Sequence, residues 1–312
     1  MTSSALARRI GQSILVLFIT FSVAFFLLSA LPSDGVMARY GAPALGLSQA
    51  EIAGIREEMG IDKPILVQFI TTLGGFLTGN FGTSVQTGTA VSTMVAENLP
   101  HTLALSTTSV GLAVIIALIV AYLATVPGLG FIGTFFRSLP SLLVSLPGFW
   151  LAILLLQFFS FRLGWVSAIN PGAIEGLILP TLTLVVPMAA PLIQVLIRSI
   201  DEVNQLSFVQ VVPAQGASEA WIFWRNVLRN AILPALTMVG LLFGELVGGA
   251  VVTETVFGRA GLGNMTVQAV SNRDTPVLLA VVVIAATAYI IINLIVDLLY
   301  PVLDVRLRRK VK

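Results

Sequence analysis

The chain has 312 residues, 56% hydrophobic and 10% charged, with a formal net charge of +2 and a mean hydropathy of +0.97. A soluble domain carries about 25% charged residues, so this composition excludes a water-soluble globular protein and points to an all-α polytopic membrane protein. With no cysteine and a single histidine, His101, disulfides, thiol catalysis and multi-histidine metal sites are excluded, and no metal site is expected.

A membrane-crossing helix needs about 20 apolar residues. Six segments meet that requirement in chain order, at roughly 10–30, 101–125, 138–160, 178–198, 231–253 and 276–299. Arg8 and Arg9 precede the first apolar run. They would also suit a cleaved signal, but the run is long for a signal core and the even count of spans needs it, so we read residues 1–30 as a cytoplasmic N-terminus and an uncleaved first span. Residues 31–97 then form one long external segment. Within it, PILVQFITTLGGFLTGNFG at 64–82 is interrupted by Gly74, Gly75 and Asn80, and reads as a surface or interfacial helix rather than a seventh span.

Residues 98–312 carry the other five spans. Pro127 and its neighbouring glycines end the second span near residue 126. GLGFIG at 128–133 matches a dinucleotide fingerprint in letters only. It follows no strand and lacks the acidic residue expected about 20 positions later, so it reads as a tight turn between helices. Residues 200–229 are a polar loop between spans four and five. The tail at 301–312 holds Arg306, Arg308, Arg309, Lys310 and Lys312. Both termini are basic and, with six spans, lie on one side. The positive-inside rule makes that side cytoplasmic and assigns the basic excess to loops rather than to a nucleic-acid surface. Asn264-Met265-Thr266 is a formal glycosylation sequon.

Polar residues inside spans are the candidates for function. Glu245 lies deep in span five, where a carboxylate costs about 2.5–3.5 kcal/mol on insertion scales, so it is expected to face the bundle interior or a water-filled path. It shares a face with Leu241 and Gly249, beside Gly248. Either it lines a substrate path and attracts an amino terminus or basic side chain, or it is a structural carboxyl, protonated or hydrogen-bonded to a neighbouring helix. Phe149 and Trp150 of span three either pack or line the same cavity. Glu254 at the far end of span five, with Arg259 beyond it, either faces the path, offers a docking surface, or is solvated. Asn293 and Asp297 form a polar seam in span six, and His101 is a satisfied interfacial histidine.

The loop FVQVVPAQGASEAWIFWRNVLRNAILP at 208–234 is expected to form a short amphipathic helix after Gly216, with Ser218 as its N-cap. It either lies in the headgroups or docks a cytoplasmic partner. Ala214, Gly216 and the run Asn230 to Pro234 resemble the EAA loop of bacterial ABC importer permeases. The likeness extends through SLPGFWLAILLLQFF (145–159), LGW (163–165), GGAVVTETVFGRAGLG (248–263) and NLIVDLLYPVLDVRLR (293–308). It is closest to the dipeptide, oligopeptide and nickel group, in the subunit type with one long external loop.

That resemblance implies a coupling segment from Val209 to Arg225, taking in Pro213, Ala214, Gly216, Ser218, Glu219 and Trp221, seated in a cleft of an ATPase subunit. It also implies a second permease, two ATPase subunits, an external binding protein to which Glu254 and Arg259 would offer a surface, and a bacterial plasma membrane location. Family members often have a basic residue where this chain has Gln210, Pro213 and Gln215. Pro213 is expected to bend the first half of the segment. No G-x-x-x-x-G-K-[ST] run is present, so the chain is not an ATPase: it needs no cofactor of its own, and ATP and Mg belong to partners. The implied cargo is di- or oligopeptides, with nickel, glutathione and other small solutes carried by relatives. The alternative is a self-contained secondary transporter or channel, but no repeat between the halves supports it. A membrane enzyme would need paired carboxylates or a histidine cluster that the spans lack.

Overall fold

The computed structural model describes residues 3–31, 35–41, 47–58 and 60–303, so the basic residues of the tail lie outside the described residues. In chain order the helices are α1 (Ser3–Ser29), α2 (Gly35–Tyr40), α3 (Gln49–Glu58), α4 (Ile65–Leu77), α5 (Val91–Thr125), α6 (Gly130–Val144) and α7 (Gly148–Leu155). They continue as α8 (Glu175–Asn204), α9 (Ser207–Gln210), α10 (Glu219–Ile222), α11 (Leu228–Val256), α12 (Leu262–Ser271) and α13 (Thr275–Leu303). Among the described residues the sole extended pairing is an isolated bridge between Thr83 and Ala90.

The chain divides into two compact units, Leu103–Arg259 with Ile291–Lys312, and Thr2–Thr102 with Ala260–Ile290. Helix α8 runs through the core of the first. Its residues 176–197 are uncharged, and a helix apolar all round is one that is buried. Leu184, Val185, Met188, Leu192, Ile193, Leu196 and Ile200 are all buried there. In a bilayer apolar side chains gain little by leaving lipid, so close fit must hold helices together. The chain supplies that fit with small residues: Ala113, Ala117 and Ala121, one turn apart on α5, are completely buried. On α11, a Cβ added at Gly249 would stand 3.0 Å from Leu184 Cδ2, and one at Gly240 would stand 3.1 Å from Asn293 Oδ1. Asn293 thus meets the backbone of span five, as the expected polar seam requires.

In the second unit, Phe21 and Phe25 of α1 pack on Phe69 and Phe76 of α4, with ring centroids 5.1–5.6 Å apart. An adjacent side of α4, about a quarter-turn away, leaves Leu66, Ile70 and Leu77 exposed. At 1.5 Å per residue α4 is about 20 Å long, short of a hydrocarbon core of roughly 30 Å, which fits the interfacial reading. Buried Asp274, just before α13, accepts hydrogen bonds from Ser84 Oγ and from the Val85 N–H, the latter at 3.2 Å, and so ties the 80–90 loop to the start of the last span.

Among the described residues five helices are long and apolar enough to cross a membrane, or six if one bent pair is a single span. That pair covers the expected third span at 138–160 but is not one straight helix. Helices α6 and α7 instead meet at 99° across Ser145-Leu146-Pro147. Pro147 lacks an N–H and disfavours helical geometry at Leu146, which ends α6 there. The second span also begins earlier than expected, at Val91, and carries Pro100 inside its helix.

Candidate functional site

After α8 ends at Asn204 the backbone breaks into short pieces. Helix α9 holds Val209, which is buried and anchors the segment to the core of its unit. A single 3-10 turn, Pro213–Gln215, follows, so the bend expected from Pro213 is present. Gly216 closes that turn at φ +80°, its N–H donating to Pro213 O at 3.0 Å. That left-handed conformation is open to glycine and strained for residues with a Cβ. Ser218 then caps α10, its Oγ accepting from the Trp221 N–H at 3.3 Å, as its position predicted. Glu219 occupies the first turn, where a carboxylate favours the positive end of the helix.

The expected short helix is not separate from span five. Helix α10 passes through a π-helical stretch, Phe223–Val227, directly into α11, so Glu219–Val256 forms a continuous 38-residue element. Sequence reasoning placed a boundary here because Arg225 and Arg229 interrupt the apolar run; only backbone geometry shows the join. Phe223 is buried against Tyr122 of α5, with ring centroids 4.8 Å apart. Trp221 and Trp224 are 47% and 54% exposed, and the Arg225 guanidinium lies over the Trp221 ring at 5.8 Å. Ala220, Trp221, Trp224, Arg225 and Arg229 line an open groove, and Ala214 and Gly216, earlier in the segment, are exposed. Nearby, Arg137 of α6 grips Asp201 of α8 through two hydrogen bonds, at 2.6 and 2.9 Å.

The far end of α11 is built the opposite way. Glu254 is completely buried, which corrects the expectation of a solvated or displayed carboxylate there. Arg259, half-buried, donates from Nη1 to the Gly176 carbonyl at 2.8 Å, and its N–H donates to Glu254 O at 2.8 Å. Sequence explains that first bond in retrospect. The natural donor to Gly176 O is the N–H four residues on, and that residue is Pro180, which has none. The arginine therefore satisfies a carbonyl that proline orphaned. Burial pushes the Arg259 guanidinium below its usual range, and the charge of Glu254 opposes that shift.

Glu245 does not face the interior of its own bundle. It is exposed on α11, with exposed Leu241, Gly248 and Val252, while Leu242, Leu246 and Ala250 are buried on another side of the helix. Gly249 is half-buried against α8 and not on the open face. Phe149 and Trp150 are exposed on α7 and do not pack inside this chain. His101 is exposed on α5. No group of three or more His, Cys, Asp or Glu suited to a metal ion occurs among the described residues.

Known proteins resemble the chain over nearly its whole length. The family model "Binding-protein-dependent transport system inner membrane component" matches residues 113–309, and the N-terminal model of the same system matches 2–106. A relative from Sinorhizobium fredii, named "Probable peptide ABC transporter permease protein y4tP", is 34% identical over 309 residues, covering 96% of this chain and 98% of its own. The glutathione transport system permease protein of Salmonella typhimurium is 34% identical over 310 residues, covering 99% of this chain and 100% of its own. Among solved structures, the methionine ABC transporter in an inward-facing conformation aligns with a TM-score of 0.57 at 18% identity, covering 68% of this chain and 96% of its own, a likeness of fold. With helices, signature segments and full-length relatives in agreement, the chain belongs to the binding-protein-dependent transport inner membrane components and is a multi-pass permease subunit of an ATP-driven ABC importer.

Proposed function

We propose that this permease forms half of a translocation path for di- or oligopeptides, and that the segment around Gly216 couples it to ATP hydrolysis on separate subunits. The displayed segment at 207–225 carries the reading. Most of its polar and aromatic residues are exposed, and it is held in shape by a left-handed glycine and a serine cap and is continuous with span five, so a partner that moves it moves a membrane helix. Val209 roots the segment, while Ala214, Gly216, Glu219, Trp221 and Arg225 present it. ATP and Mg act on two ATPase subunits, with both termini of this chain on the same cytoplasmic side.

A second, related permease completes the path, since one set of five or six spans supplies one wall. Its lining on this side includes the open face of α11 at Glu245 and Gly248, and the exposed Phe149 and Trp150 of α7. An external binding protein delivers the substrate. Peptide cargo is favoured because full-length relatives at 34% identity carry peptide and glutathione transport in their names.

The test is recovery of the tagged chain from native membranes in mild detergent, followed by mass spectrometry. A P-loop ATPase and a second permease are expected in the complex, and altering Gly216 and Trp221 should release the ATPase while keeping the permease pair. Recovery of the chain alone, with solute transport in ATP-free liposomes, would overturn the importer assembly.

A further inference from the structure

Glu245 is a charge in the membrane without a hydrogen bond or ion pair to any described residue. At 1.5 Å per residue it stands about 25 Å from the start of α11 at Leu228 and about 17 Å from its end at Val256, so it sits near the middle of a hydrocarbon slab roughly 30 Å thick. At 100° per residue, Leu241, Glu245, Gly248 and Val252 fall within an arc of about 60°. All four are exposed. The face that packs in the core of this unit, with Leu242, Leu246 and Ala250 buried, is centred well over a quarter-turn away. A Cβ at Gly248 would meet nothing within 4 Å, so there is open space one turn beyond the carboxylate.

A carboxylate at that depth faces a bundle interior or a water-filled cavity, not lipid. This chain does not enclose it, so the face of α11 that carries it borders the transport path. What an acceptor-only group recognises there is a donor with positive charge. The cargo proposed above always has one: the protonated amino group at a peptide's N-terminus.

We propose that Glu245 is a specificity residue of the path, receiving the substrate's α-ammonium group as the peptide passes the middle of the membrane. This assignment rests on the peptide-importer reading. The carboxylate replaces the water around the ammonium with charged hydrogen bonds, and the adjoining Gly248 leaves room for the first side chain. Selectivity is then partly in the permease: peptides with a free amino terminus pass, and those with a blocked one are disfavoured.

The experiment uses the complete transporter in proteoliposomes, with the wild-type chain, Glu245→Gln and Glu245→Asp. ATP-driven uptake is measured for a tripeptide and for its N-acetylated form. Glu245→Gln is expected to lower uptake of the free peptide about tenfold more than that of the acetylated one, equivalent to some 1.4 kcal/mol of discrimination. Glu245→Asp should recover part of it. In parallel, carbodiimide treatment of the loaded wild-type complex should join the peptide amine to the Glu245 carboxyl, detected by mass spectrometry of the digested chain. This arm stands even if Glu245→Gln fails to assemble. Equal losses for both peptides, or a cross-link from Glu245 to a lysine of the second permease, would overturn the assignment and make the residue an interface contact. Wild-type uptake of neither peptide would overturn the peptide reading itself.

Discussion

The two ends of the 38-residue element that contains span five look alike on paper and are opposite in the molecule. Each end places an arginine and a glutamate beside an apolar run: Glu219 with Arg225 at one end, Glu254 with Arg259 at the other. Around Glu219 the polar and aromatic groups are displayed, and local devices (a left-handed glycine and a serine cap) hold the backbone in place of burial. Around Glu254 the charge is withdrawn from solvent, and the arginine is spent on a carbonyl that Pro180 cannot serve. On the coupling reading proposed above, one end offers a surface that a partner can grip and the other is closed. Substitutions at the closed end should therefore act on folding, and those at the displayed end on coupling.

The largest effect is expected at the closed end. Glu254→Ala leaves Arg259 half-buried without its countercharge; breaking a fully buried pair from one side costs on the order of 3–5 kcal/mol, and the partial exposure of Arg259 brings the cost below that. The detergent-purified protein should unfold several degrees lower, or accumulate poorly in membranes. The double substitution Glu254→Gln with Arg259→Met should recover part of the loss, because removing both charges leaves neither stranded. If Glu254→Ala instead left the melting temperature unchanged and reduced binding-protein docking, the closed end would be a docking surface and the contrast would fail.

The contrast also separates what the chain reveals before folding from what it does not. The spans were legible because a bilayer demands long uncharged runs. So were Gly216 and Ser218, because turns and caps are local: a glycine before a serine-capped helix has few alternatives. The 99° bend at Pro147 was missed although its proline and glycine were visible, because the apolar run continues unbroken through it. Glu254 was misplaced because burial is a tertiary property. Nothing in its neighbourhood says that a carbonyl 78 positions earlier, orphaned by Pro180, draws Arg259 inward. Glu245 was identified by its depth, but which way it faces depends on which side of α11 packs in the core.

At the displayed end, Gly216→Val should leave the spans intact and uncouple them. Forcing a β-branched residue into φ +80° costs about 1–2 kcal/mol locally, enough to rearrange an exposed turn without unfolding buried helices. The measurement pairs a melting curve with substrate-stimulated ATPase activity of the assembled transporter: the first should hold, and the second should fall. Ser218→Ala is a milder version. Losing an N-cap costs about 1 kcal/mol, which should appear as faster hydrogen exchange at Trp221 and its neighbours with only a partial loss of stimulation.

The smallest effect is expected where α8 approaches the displayed segment. Arg198 and Glu202 form an i, i+4 pair at 3.0 Å, but their side chains are 83% and 65% exposed. Such pairs contribute roughly 0.3–0.5 kcal/mol in water and less in salt, so Glu202→Ala should be nearly silent in a melting curve of the isolated chain. The neighbouring bidentate pair, Arg137 with Asp201, bridges two helices and should cost more, up to about 1 kcal/mol, because its geometry fixes both partners. The same Glu202→Ala substitution in the assembled transporter sharpens the comparison. If Glu202→Ala is silent in the isolated chain but weakens ATPase recovery in a pull-down, the partner's footprint extends past the coupling segment onto α8. If it is silent in both, the grip is confined to the segment rooted at Val209 and carried by Trp221 and Arg225.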